Sequence, residues 1–129
     1  MKSNWVYEDL MEFFEREYGG THCFRRAKTK QHLFEITTKE SEWFVKNFHN
    51  EYYVLYHHPR YLPQNRNHIQ SRDRNLVWLL WIAYTHDYYK FNRIPFPKEK
   101  GNQDYLNFLE KFKSYLSSCG LVWNEEDFK

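Results

Sequence analysis

With 129 residues, 41% of them apolar and 21% aromatic, the chain has material for one domain with a dense core, which argues against extended disorder. Its formal net charge of +2 is too small to imply a polyanionic partner by itself. The longest apolar run, Leu76 to Tyr84, is half of the roughly 18 residues a membrane helix needs, which excludes a helical membrane span.

The first element is a helix over residues 5–18. Val6, Leu10, Phe13 and Phe14 recur at the 3–4 spacing of a buried stripe, Ser3 or Asn4 can cap it, and Gly19-Gly20 can end it. Its outer face is acidic, with Glu8, Asp9, Glu12, Glu15 and Glu17 against Arg16. Residues 22–29 and 32–38 read as two strands around Lys30-Gln31. In the second, Phe34, Ile36 and Thr38 share one face and Leu33, Glu35 and Thr37 the other. Residues 39–50 allow two readings. Thr37 and Glu40 have capping-box spacing and Phe44 and Phe48 lie one helical turn apart, so a short helix is favoured over a strand through Trp43-Phe44-Val45.

Residues 52–57, apolar on both faces, read as a central strand. Residues 59–71, with Pro59, Pro63 and a Gln/Asn series, read as a long loop, and loops of this length in small domains are usually functional or disordered. A helix over 72–91 follows, capped by Ser71 and apolar all round at Leu76–Ile82, hence buried on several sides. Pro95 and Pro97 follow its end. The last helix, 103–118, lines one face with Tyr105, Phe108, Leu109, Phe112, Tyr115 and Leu116 and stops at Gly120. The expected architecture is a single compact α+β domain over residues 1–129. It has a small mixed β-sheet of three to four strands within residues 22–57, covered by an N-terminal helix and two C-terminal helices.

No cofactor motif is present: neither a phosphate-binding glycine loop nor a Cys-x-x-Cys or His-Glu-x-x-His metal pattern occurs. The seven histidines lack ligand spacing, and His57 and His58, adjacent in a strand, point to opposite faces. Glu35 lies on a strand followed by Lys39, but a restriction-type nuclease needs a lysine two residues after the acid, where Thr37 stands. No Gly-x-Ser-x-Gly elbow occurs, and Cys119 lies against the C-terminus of a helix rather than the N-terminus that would activate a thiol, so nucleophilic catalysis has little support. Cys23 and Cys119 read as free thiols. With acids preceding any apolar core in Met1–Asp9, they imply a reducing, cytoplasmic setting with no secretory leader.

Charge is separated along the chain. Arg25, Arg26, Lys28 and Lys30 form one basic segment without an acid, and Arg60, Arg66, Arg72 and Arg74 form a second around Asp73. Separated charge can steer a partner. Arg60, Tyr61 and Arg66 supply side chains enriched at binding hot spots, and His68 and Arg72 flank them. The leading expectation is a non-catalytic binding protein acting on a macromolecule, a protein in preference to a nucleic acid. Stand-alone inhibitors, immunity-type proteins and mobile-element accessory proteins share this profile. The alternative is an RNA- or DNA-binding module using segments 25–30 and 57–74. A second alternative is a small metal-independent ribonuclease with His57, His58, Arg60, Tyr61, His68 and Arg72 around the loop.

Overall fold

The computed structural model describes residues 7–18, 23–26, 34–38, 41–48, 51–59 and 68–121. In chain order these form α1 (Tyr7–Tyr18), β1 (Cys23–Arg26), β2 (Phe34–Thr37), β3 (Ser41–Phe48), β4 (Tyr52–Pro59), β5 (His68–Asp73), α2 (Leu76–Phe91) and α3 (Gln103–Ser118). The α+β architecture with one N-terminal and two C-terminal helices is as expected. The sheet is five-stranded in the order β1-β2-β3-β4-β5, and every neighbouring pair is antiparallel. It is therefore a meander rather than a mixed sheet, with one more strand than the largest number expected.

Two segments account for the difference. Residues 41–48 are a strand, not a helix. As β3 they place Ser41, Trp43 and Val45 on one face at 2% exposure or less, with Glu42 exposed on the other. A helix would set Trp43 and Val45 roughly 200° apart around its axis and could not bury both in one layer. The Thr38 backbone N–H and hydroxyl both donate to the Ser41 carbonyl, at 2.9 and 3.3 Å. That closes a tight β2–β3 turn where a helix cap was expected. The second segment is the end of the expected long loop. His68–Asp73 form the edge strand β5, paired with β4 across a bulge at Leu55/Tyr56. Its polar, exposed side chains carry no strand periodicity, because an edge strand is held by its neighbour's backbone.

Helix α2 begins at Leu76, four residues after its expected start, and its cap is Asn75 rather than Ser71. Asn75 Oδ1 accepts from the Trp78 N–H at 3.0 Å, and its Nδ2 donates to the buried Tyr105 hydroxyl at 3.2 Å. Asn102 caps α3 in the same way, accepting from the Tyr105 N–H at 2.9 Å. The C-terminus of α3 is a left-handed glycine stop. Gly120 has φ 74°, its N–H reaches the Ser117 carbonyl, and the Leu121 N–H reaches the Leu116 carbonyl.

One core joins the inner sheet face, through Ile36, Trp43, Val45 and Leu55, to α1, α2 and α3. Helix α1 packs Phe13 against Phe108 and Phe112 of α3 at ring distances of 5.5 and 5.2 Å. Helix α2 touches both β4 and β5. Trp78 and Trp81 stack on each other at 5.3 Å and meet Tyr105 of α3, so these tryptophans bind the helical layer together. Burial also pushes the Tyr105 hydroxyl's pKa up, and Tyr89 is raised by burial and by its hydrogen bond to Asp104.

Candidate functional site

Cross-strand partners in an antiparallel sheet share a face, so the register sorts every strand residue. Trp43, His57 and His68 stand in one row on the inner face, beneath α2. Phe44, Tyr56 and Ile69 stand in the next row on the outer face. Lys46, Val54 and Arg72 form a further outer row, and Phe48 and Tyr52 a third. None of the core residues contributed by α1, α2 or α3 lies against this outer face. Val54, 1% exposed, is buried yet stands outside the core cluster.

The outer face departs from the usual polar-out pattern of an antiparallel sheet with one solvated side. Phe44, Phe48, Tyr52 and Tyr56 are half-buried there, and Ile69 is 44% exposed. The Phe48 and Tyr52 rings stack at 5.6 Å with an interplanar angle of 3°, and the Lys46 ammonium lies 5.1 Å from the Phe48 centroid. Arg72 is exposed on β5, two strands away from Lys46 across Val54. Glu42 and Glu35 occupy the β2–β3 side, Glu35 between Arg25 and Phe44 in register. The surface thus combines aromatic rings with charges of both signs.

The inner face holds a second arrangement. The Ser41 hydroxyl lies 2.7 Å from His57 Nε2, and His57 Nδ1 lies 3.2 Å from His68 Nε2. Gln70 Oε1 lies 3.4 Å beyond, also on His68 Nε2. The His57 ring stacks on Trp43 at 4.0 Å and 15°, and His86 of α2 meets both rings, at 4.9 Å from His57 and 5.0 Å from Trp43. Burial, with His86 and His68 close by, lowers the His57 pKa to about 3, against a smaller opposing pull from Asp87. Its imidazole is therefore neutral at physiological pH.

Of the residues expected to carry function, His68 and Arg72 fall on β5, on opposite faces of the sheet. Arg25 and Arg26 fall on β1, across from Glu35 and Phe34. Lys28, Lys30, Arg60, Tyr61 and Arg66 lie outside the described residues. The ribonuclease reading required its histidines to converge with a phosphate clamp. His57 and His68 do meet, but His58 and Arg72 belong to the other face, and a ring held neutral down to about pH 3 is a weak proton acceptor. Among the described residues no group of three or more His, Cys, Asp or Glu could hold a metal ion. Cys119 is a free, exposed thiol that caps α3 at its C-terminus.

Sequence reasoning missed the outer aromatic face, because the helix reading of residues 39–50 removed β3 from the sheet. The alternation Glu42-Trp43-Phe44-Val45-Lys46 was the signal that could have found it. A shallow groove of about 480 Å³ also lies between α1 and α3, lined by Arg16, Glu17, Glu110, Lys111 and Tyr115, with the Arg16 guanidinium 6.0 Å from the Tyr115 ring. Its polar groups are of both signs and lie on helix surfaces. Compared with family models, with curated proteins and with solved structures, the chain matches none.

Proposed function

We propose that the protein is a non-catalytic binding protein whose macromolecular partner, a protein in preference to a nucleic acid, docks on the outer face of the sheet. The observation that supports this reading is the set of half-buried aromatics Phe44, Phe48, Tyr52 and Tyr56, in two rows flanking Lys46 and Arg72, on the face the described helices leave uncovered. Aromatic and Arg side chains dominate protein hot spots, and contiguous apolar surface on one side of a sheet marks interaction sites. Glu35 and Glu42 on the same face favour a protein, since a polyanion would meet carboxylates there.

The test is affinity capture from the native host with the wild type and with a Phe48→Ala/Arg72→Ala variant. The wild type should retain a defined protein that the variant loses while remaining folded. Equal recovery of that protein by both would remove the outer face as its docking site.

Lys46 and Arg72 on the same face as stackable rings favour a second reading, single-stranded nucleic acid on that face. Binding of a labelled oligonucleotide at about 50 mM salt, weakening steeply as salt rises, would establish it.

A further inference from the structure

A neutral imidazole offers one N–H and one lone pair. Both nitrogens of His57 are engaged, Nε2 by Ser41 and Nδ1 by His68. With His57 neutral the Ser41–His57–His68 chain closes in either direction, because Ser41 can donate to Nε2 while Nδ1–H donates to His68, or the reverse, and the Gln70 Oε1 acceptor on His68 Nε2 favours the reverse. One added proton also fits. His68 Nε2–H then donates to His57 Nδ1, and His57 Nε2–H donates to the Ser41 hydroxyl. A second proton does not fit, because it sets N–H against N–H across 3.2 Å with a positive charge on each ring.

The surroundings offer that second charge little relief. From β3, His57 meets the Trp43 ring and the Ser41 hydroxyl, while neighbouring Glu42 serves the opposite face. From β5 it meets His68, whose side chain is exposed, so the poorly solvated position of the pair is His57. From α2 it is faced by His86 and Lys90, which oppose a cation, and by Asp87, which favours one and is itself engaged by His86 at 3.4 Å. Neighbouring His58 on β4 serves the opposite face. His57 is 5% exposed, so water does not solvate the ring in place.

We propose that the His57–His68 pair is an acid-triggered latch. Neutral or singly protonated, it fastens the edge strand β5 and the C-terminal half of α2 to the sheet; doubly protonated, it lets them go. Among the described residues β5 has β4 as its single strand neighbour, and His57↔His68 is the last pair of that ladder. Loss of the pair therefore opens the ladder from its end. The sign follows from linkage. The folded pKa of His57, about 3, lies below the ordinary 6.5, so the released state takes the proton first. Attachment is complete above about pH 6.5 and is lost progressively as pH falls from there toward about 3.

The experiment uses the full chain. Imidazole 15N chemical shifts and backbone hydrogen exchange are followed from pH 7 to 4.5, with exchange corrected for its intrinsic pH dependence. The latch requires His57 to stay neutral in the folded protein below pH 5, while protection of the β5 amides falls by about tenfold or more and that of the central β3 amides does not. In His68→Gln, which keeps a hydrogen-bonding side chain but takes no proton, the fall in β5 protection should shrink to less than half. A His57 ring that titrates between pH 6 and 7 with β5 intact would overturn the proposal. So would a parallel loss of β5 protection in the wild type and in His68→Gln. If that variant does not fold, the wild-type titration alone decides.

Discussion

Single side chains hold this fold at a few junctions where one group serves two elements. Asn75 is the clearest. Its Oδ1 caps α2 and its Nδ2 reaches the Tyr105 hydroxyl of α3, while its own N–H donates to Asp73 at 2.8 Å. Asn75→Ala should cost about 2 kcal/mol, combining a lost cap with an unpartnered buried hydroxyl, and Asn75→Ser, which caps but is too short to reach Tyr105, should recover the capping part alone. Urea unfolding of both variants measures the difference, and equal midpoints for the two would assign the whole effect to Tyr105. Trp81, 2% exposed among Trp78, Tyr89, Phe96 and Tyr105, should cost about 3–5 kcal/mol as Trp81→Ala. An unchanged midpoint would show that the helical layer does not depend on it. Such core residues were legible in the sequence, because an apolar run with helical length and caps has one plausible fate. The His57–His68 contact was not. It depends on the β4–β5 register across the bulge, which no spacing along the chain encodes.

Elements were legible in proportion to how much of their stability is local. α1 and α3 declare themselves by stripe and stop signal, and their spans agree with expectation over the described residues, residues 5 and 6 of the expected first helix lying outside them. β3 and β5 are set by tertiary partners instead. β3 satisfies a helical spacing at Phe44 and Phe48 and an alternating spacing at Trp43 and Val45, and the sheet chooses between them by burying the second pair. β5 has no apolar periodicity to read, and its edge position requires none. The stop of α3 illustrates the locally encoded kind. Gly120 has φ 74° and nothing within 4 Å of where a Cβ would stand, so a substitution there pays only the backbone conformation. Gly120→Ala should destabilise by about 1 kcal/mol and Gly120→Asn by less, since Asn tolerates the left-handed region. Thermal unfolding of the pair checks this, and equal losses would point to a contact rather than to φ.

At the scale of the molecule, the sheet separates two surfaces of different composition. The inner face packs against the helical core and carries the histidine row, whose last member, His68, is exposed. The outer face keeps the half-buried aromatics that an ordinary solvated sheet would replace with polar residues. The sequence points instead to residues 59–71, where prolines stiffen the chain and Arg60, Tyr61 and Arg66 are hot-spot residue types. Of that segment only its two ends are described: Pro59 closes β4, and residues 68–71 enter the sheet as part of β5, beginning at His68. The two locations are separable because they fail differently. Arg60→Ala/Tyr61→Ala/Arg66→Ala should leave thermal stability within about 1 kcal/mol of the wild type if those side chains are exposed. Phe48→Ala/Tyr52→Ala removes a stacked cross-strand pair and should cost about 1–2 kcal/mol while leaving the inner core untouched. If the outer face binds the partner, the second variant loses at least tenfold in affinity at a temperature where it is fully folded, and the first loses less. Greater loss in the first variant would move the docking site to the 60–66 segment.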